Sequence, residues 1–158
     1  MVDAQREGRL RRNFQGYTTD TADALIGFGA SAIGRLPHGY VQNAVGLGEY
    51  AARISSGGLA TVKGYVLTSD DRLRADLIER TMCDFAVDVG SVARRHGADP
   101  AAVFRALPRL AVLQADGILE RSGHQVRVAP GARHLVRTVA SAFDAHLDAP
   151  GRTFSRAV

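Results

Sequence analysis

The spacing of hydrophobic positions changes character along the chain. From about Asn43, Leu47, Tyr50, Ala51 and Ile54 recur with a period near 3.6, which predicts a short helix. Ser55-Ser56-Gly57-Gly58 stops it, because glycine accepts the left-handed conformation just past a helix end. Residues 59–67 read as a brief strand or an extended linker. At Thr68 comes a strong start signal: a capping threonine, Asp71 three residues on, and the Asp70-Asp71 pair at the positive end of the helix dipole. Leu73, Leu77, Ile78, Thr81 and Met82 then share one face, and Asp76 and Arg80 are placed as an exposed i, i+4 pair.

A second helix is predicted over Val87 to His96, ending at Gly97, and a third opens at Asp99-Pro100, a capping aspartate before a first-turn proline. Pro108 should break that helix, since proline removes a backbone donor and crowds the preceding turn. A further helical piece runs to about Ala115. Beyond Asp116-Gly117 the period falls to about two, and Ile118 to Arg121, Ser122-Gly123 and His124 to Val128 read as a β-hairpin. Pro130-Gly131 closes it, and Leu135, Val136, Val139, Ala140, Phe143 and Leu147 mark a last helix. Residues 1–42 are mixed and glycine-dotted, and the tail from Asp148 to Val158 reads as loosely structured.

Helices, a hairpin and a closing helix over residues 69–147 are the order of a winged-helix-like domain. The fold class is therefore α+β, mainly helical with a small β-hairpin. The chain divides into residues 1–42, a helix and linker over 43–68, the winged-helix-like domain over 69–147, and a tail over 148–158.

Composition narrows the chemistry. Apolar residues make up 46% and charged residues 23%, inside the globular range and against a wholly disordered chain. No apolar run approaches the ~18 residues of a membrane span. No secretory pattern comes after Met1, so a cytoplasmic location is expected. Cys83 is the single cysteine, which excludes an intrachain disulfide and a cysteine-held zinc or iron–sulfur site built from this chain alone. The histidines (His38, His96, His124, His134, His146) lack the spacing that would put two ligands on one helix face. The net charge of +4 comes from arginines, with Lys63 the one lysine. A GC-rich coding sequence accounts for much of that skew, and an acidic ligand remains open because guanidinium pairs bidentately with carboxylate.

Certain strings carry a resemblance. Arg12-Asn13-Phe14-Gln15-Gly16-Tyr17-Thr18-Thr19 is followed by Leu25-Ile26-Gly27-Phe28-Gly29-Ala30-Ser31-Ala32-Ile33, then Tyr40-Val41-Gln42-Asn43, Gly57-Gly58-Leu59, Asp70-Asp71-Arg72-Leu73-Arg74, Met82-Cys83-Asp84-Phe85, Val136-Arg137 and Phe154-Ser155-Arg156. In order and spacing these resemble the oxygen-independent coproporphyrinogen III oxidases, or coproporphyrinogen dehydrogenases, of the radical S-adenosylmethionine superfamily. A related heme-chaperone branch carries a His-Asn motif and a Tyr-Trp pair in this region. Here the asparagine follows Arg12 and there is no tryptophan, so the oxidase branch fits better.

The resemblance implies that residues 1–42 are the end of a radical-enzyme β/α barrel and 69–147 the domain covering its mouth. It also implies S-adenosylmethionine and a [4Fe-4S] cluster as cofactors of the intact enzyme. The three closely spaced cluster cysteines have no counterpart here, so the isolated chain is expected to lack that redox chemistry and to be a fragment or a degenerate form. The missing barrel portion becomes an implied partner, and coproporphyrinogen III the implied substrate, two of whose propionates the family converts to vinyl groups in heme biosynthesis.

By the same resemblance, Gln15 lies near S-adenosylmethionine, with a structural amide as the competing role. Gly27, Gly29, Ser31, Ala32 and Ile33 match the family's Gly-x-Gly-x-Ser-Ala-Ile element. There the glycines admit a ligand close to the backbone and Ile33 contacts the adenosyl portion; turn glycines and a core isoleucine are the plain alternative. Arg12 and Arg156 flank the matched segments and suit substrate propionates, against ordinary salt bridges or solvent. No residue is assigned a catalytic or metal-ligating role. Two other functions compete. A winged-helix DNA-binding module is disfavoured by the Pro108 break and by few basic residues beyond Arg105 and Arg109, which speaks against a nucleic-acid partner. A non-catalytic tetrapyrrole-binding subunit would also lack the cluster.

Overall fold

The computed structural model describes residues 1–13 and 16–147. A short helix, α1 (Val2–Arg6), leads into a hairpin of β1 (Arg11–Asn13) and β2 (Gly16–Thr18). Next comes a three-stranded antiparallel sheet, ordered β3 (Ile33–Leu36), β4 (Gly39–Asn43) and β5 (Thr61–Val66), with α2 (Leu47–Ser55) between the last two strands. Residues 59–67, open between strand and linker on sequence grounds, thus supply an edge strand registered on β4 through Tyr40↔Tyr65. β4 itself runs through the expected division at residue 42, so its pairing with β5 joins the two sides of that division in one sheet.

Thr68 begins α3 (Ser69–Asp84) through a reciprocal capping box with Asp71. The helix ends where Phe85 takes a left-handed φ of +55°. Chain direction then reverses into β6 (Ala86–Asp88), α4 (Val89–Arg95), α5 (Pro100–Arg105), α6 (Arg109–Ala115), β7 (Leu119–Ser122) and β8 (Gln125–Val128). A 3-10 turn over Pro130–Leu135 leads into α7 (Val136–Ser141). The second sheet is ordered β6-β8-β7 and antiparallel throughout. One buried cluster joins these elements, with Leu77, Val89, Val126, Val139 and Phe143 all essentially inaccessible.

Several expectations shift. The second helix starts at Val89 rather than Val87. Val87 faces Val126 across the sheet, and the Asp88 carboxylate caps the helix by accepting from Ser91 N at 2.8 Å. The last helix stops at Ser141 instead of reaching Leu147. Asp76 does not pair with Arg80: it receives Arg95 at 3.0 Å and His96 at 3.2 Å, while Arg80 lies 3.3 Å from Asp84. The Asp99-Pro100 start and the break before Arg109 stand as expected.

Asp71 also clamps the C-terminal end of the described chain. His146 Nε2 lies 2.8 Å from one carboxylate oxygen, and the other accepts from Thr68 N at 2.9 Å and Tyr65 OH at 3.2 Å. The His146 contact foremost, with the Thr68 and Tyr65 bonds, holds the Asp71 carboxyl well below the usual carboxylate range despite partial desolvation. A depressed folded pKa contributes stability above the unfolded value of about 3.9, and that contribution is lost as pH falls through the folded value. Urea midpoints measured between pH 5 and pH 2 should therefore fall less steeply for Asp71→Asn than for the parent chain. Equal slopes would show that Asp71 does not link protons to folding.

Candidate functional site

The segment before β3 folds back on it. Leu25 and Arg35 exchange backbone hydrogen bonds, so residues 26–32 form a loop standing on the sheet edge. Asn43 holds the loop from below: its Nδ2 donates to Gly27 O and Gly29 O, both at 3.1 Å. Tyr50 OH accepts from Gly29 N at 3.2 Å, and Ser31 N donates to Ala44 O at 2.8 Å.

The two glycines of this loop serve different ends. A Cβ on Gly27 would come within 2.9 Å of Ile33 O, so its role is close packing of the loop on its own strand. Gly29 has φ +104° and open space where a Cβ would be, leaving its backbone approachable. Ser31 also adopts a left-handed φ of +61°, a strained conformation for serine. The structure thus brings Gly29, Ser31, Ala32 and Ile33 onto one exposed edge, with Ile33 37% accessible. Gln15 and Arg156 lie outside the described residues. Sequence reasoning does not single out Asn43 and Tyr50, which brace this edge. Asn43 falls within the family-like strings, but only its two carbonyl partners reveal what it does.

Arg12 stands elsewhere, on β1, in a cleft of about 610 Å³ between the β3–β4 hairpin and α3. A smaller hollow of about 180 Å³ shares Arg11, Arg12, Asn13, Arg35 and Glu79 with it. The carboxylates of the cleft are already committed. Glu79 accepts from Arg12 N at 3.1 Å and from the Arg11 guanidinium at 3.4 Å, and Asp76 holds Arg95 and His96. Arg72 donates only to neutral oxygens, Leu67 O at 2.9 Å and Ser69 Oγ at 3.1 Å. Among the described residues, no carboxylate pairs with the guanidinium of Arg12, Arg35 or Arg72. The cleft therefore combines apolar walls with three guanidinium groups that no carboxylate pairs directly, while Asp20 and Asp23 line the adjoining hollow that shares Arg12 and Arg35. Arg35 shares a strand face with Ile33, because alternate residues of a strand point the same way.

The chain's thiol does not suit a cluster. Cys83 is fully buried on α3, and burial, with the nearby Glu79 carboxylate adding to it, pushes its pKa up to about 11. A cluster ligand must be a thiolate. Among the described residues no group of three histidine, cysteine, aspartate or glutamate side chains is placed to hold a metal ion. The helix just ahead of the β7–β8 hairpin, α6, carries Arg109 as its one basic residue. No helix among the described residues is long and apolar enough to cross a membrane.

Comparisons with known proteins agree with this architecture. Residues 67–135 match the HemN C-terminal domain family. The whole chain is 56% identical to part of an oxygen-independent coproporphyrinogen III oxidase of Bradyrhizobium diazoefficiens, covering 35% of that protein. It is 41% identical over 146 residues to the Paracoccus denitrificans protein of the same name, covering 92% of this chain and 32% of that one. A solved structure described as "Coproporphyrinogen III oxidase (HemN) from Escherichia coli is a Radical SAM enzyme" superposes with a TM-score of 0.86 at 35% identity, over 92% of this chain and 34% of that one. The chain spans about a third of the length of these relatives and corresponds to their C-terminal part.

Proposed function

We propose, from a similarity to oxygen-independent coproporphyrinogen III oxidases that runs along the entire chain, that this protein is the C-terminal third of such an enzyme. The intact enzyme would oxidatively decarboxylate two propionates of coproporphyrinogen III to vinyl groups, yielding protoporphyrinogen IX in the cytoplasm. Residues 1–42 would close the end of the barrel, 43–68 connect, and 69–147 cover the substrate. The observation that carries this reading is the 56% identity without loss of any part of the chain.

Within that reading, Gly29, Ser31, Ala32 and Ile33 would meet S-adenosylmethionine, which supplies the hydrogen-abstracting group when bound. Gln15 would join them. The fit is steric: Gly29 leaves open space where a side chain would stand, its N–H and C=O being held by Tyr50 and Asn43, and Ile33 offers an accessible apolar side chain to an adenine or ribose face. Arg12 and Arg156 would meet propionates. The [4Fe-4S] cluster does not fit the residues present, since Cys83 is buried and held as the thiol, so its ligands would come from the portion of the enzyme outside this chain. On this reading the isolated chain would be inactive.

A chimera tests the reading. The chain is grafted in place of the matching C-terminal third of the Escherichia coli enzyme, its cluster is reconstituted anaerobically, and protoporphyrinogen formation is measured. Turnover within about tenfold of the parent enzyme is expected, with none from the 158-residue chain alone. A folded, cluster-loaded chimera that leaves coproporphyrinogen III unchanged would remove the assignment.

A further inference from the structure

The cleft between the β3–β4 hairpin and α3 holds more positive charge than its own residues neutralise. Arg11 and Arg80 both lie within ion-pair range of Glu79, and Arg95 and His96 share Asp76. Arg12, Arg35 and Arg72 remain, each with a guanidinium that meets no carboxylate among the described residues. Like charges gathered in a concave site with low-dielectric walls repel one another, and an anion entering it is attracted by all of them together.

Geometry favours a ligand with several carboxylates over a single small anion. The three arginines come from three different elements: Arg12 from β1, Arg35 from β3 and Arg72 from the first turn of α3. Leu36, Pro37, Leu67 and Ile78 line the same cleft, and its volume of about 610 Å³ is in the range that holds a whole organic molecule. Arg72 is already oriented by Leu67 O and Ser69 Oγ, so it loses little side-chain freedom on binding. Guanidinium, with its fixed fork of donors, is the group best matched to carboxylate.

We propose that this cleft is a polycarboxylate-binding site in which Arg12, Arg35 and Arg72 receive separate carboxylates of one ligand, whose apolar body lies against Leu36, Pro37 and Ile78. The identity of that body as a tetrapyrrole rests on the functional reading above. The location of the site, and the assignment of Arg35 and Arg72 to it, go beyond that reading. Arg35 lies two residues beyond Ile33 on the same strand face, so a carboxylate held there stands next to the edge formed by Gly29 to Ile33.

The test titrates the 158-residue chain with coproporphyrin III, the stable oxidised ring with four propionates, and with mesoporphyrin, which has two. Absorbance and fluorescence report binding. The four-propionate ring is expected to bind saturably and at least tenfold more tightly than the two-propionate ring, and to weaken as salt rises. Arg35→Gln and Arg72→Gln should each weaken it about tenfold, Arg35→Lys less, and Arg94→Gln, outside the cleft, not at all. Melting curves matching the parent chain confirm that the variants fold.

Equal affinity for both rings, or no effect of Arg35→Gln and Arg72→Gln on binding, would overturn the proposal. The two readings fail separately. An active chimera whose affinity for coproporphyrinogen III ignores both substitutions removes the cleft and keeps the family assignment. An inactive chimera alongside arginine-dependent binding of coproporphyrin III keeps the cleft and removes the assigned reaction.

Discussion

Leu77→Ala will destabilise the C-terminal domain by about 3 kcal/mol, toward the middle of the range for a fully buried leucine that leaves a cavity. Leu77 sits at the centre of α3 with no accessible surface, among Val89, Val126, Val139 and Phe143. Close packing leaves no neighbour free to fill the space, so lost transfer energy and lost contacts add. Because a domain is stable by only about 5–15 kcal/mol in total, the change removes a large share. It should also reach the ligand cleft, since Arg72, Asp76, Ile78 and Glu79 line that cleft from the same helix. Urea unfolding followed by circular dichroism measures the loss. Val112→Ala, on an exposed position of α6, should stay within about 0.5 kcal/mol. Comparable midpoints for the two variants would mean that α3 is not the keystone of this core.

Gly39→Ala is expected to be nearly as damaging, for a different reason. A Cβ at that position would lie 2.2 Å from Tyr65 O, a backbone atom of the adjacent strand. Backbone cannot rotate aside as a side chain can, so β4 and β5 must separate where Gly39 pairs with Val66. Forced overpacking costs about 1–3 kcal/mol and at times more. At about 2–4 °C per kcal/mol for a chain of this size, the melting temperature should fall by roughly 6–12 °C if the cost is near the upper end. Gly90→Ala is the informative contrast. There the added carbon would meet the imidazole of His124 at 2.4 Å, an exposed side chain stacked on Phe104 at 5.9 Å. The His124 ring can swing away at the loss of that stack, about 1 kcal/mol, and its Cβ, 3.0 Å from the added carbon, must give by a few tenths of an ångström. If Gly39→Ala proves as mild as Gly90→Ala, the register of β4 on β5 is wrong.

Local signals were legible wherever a short stretch carries its own physics. The capping box of Thr68 and Asp71 and the Asp99-Pro100 start stand in the structure, and the hairpin stands with its turn one residue later than expected, at Gly123-His124, because Ser122 pairs with Gln125. Each is satisfied by atoms a few residues apart. β6 was illegible for the opposite reason. Ala86–Asp88 is three residues long and is a strand only because β8, some forty residues later, pairs with it. Asp76 shows the same limit: an i, i+4 arginine was available, yet Arg95 and His96 from α4 and its C-terminal cap occupy its carboxylate. The loop edge at Gly29 to Ile33 could be read as a motif, but Asn43 and Tyr50 as its supports could not.

The sequence by itself determined the α+β class, the resemblance to oxygen-independent coproporphyrinogen III oxidases and the single cysteine, since these derive from local periodicity, ordered motifs and a count of one thiol. It also determined that arginine is nearly the sole source of positive charge. Which arginines are free to meet a ligand was decided only by the tertiary structure. Arg11, Arg74 and Arg80 find carboxylates, while Arg12, Arg35 and Arg72 line a cleft without one. Ion pairing acts through space over a few ångströms, and chain order does not state which side chains folding will bring that close.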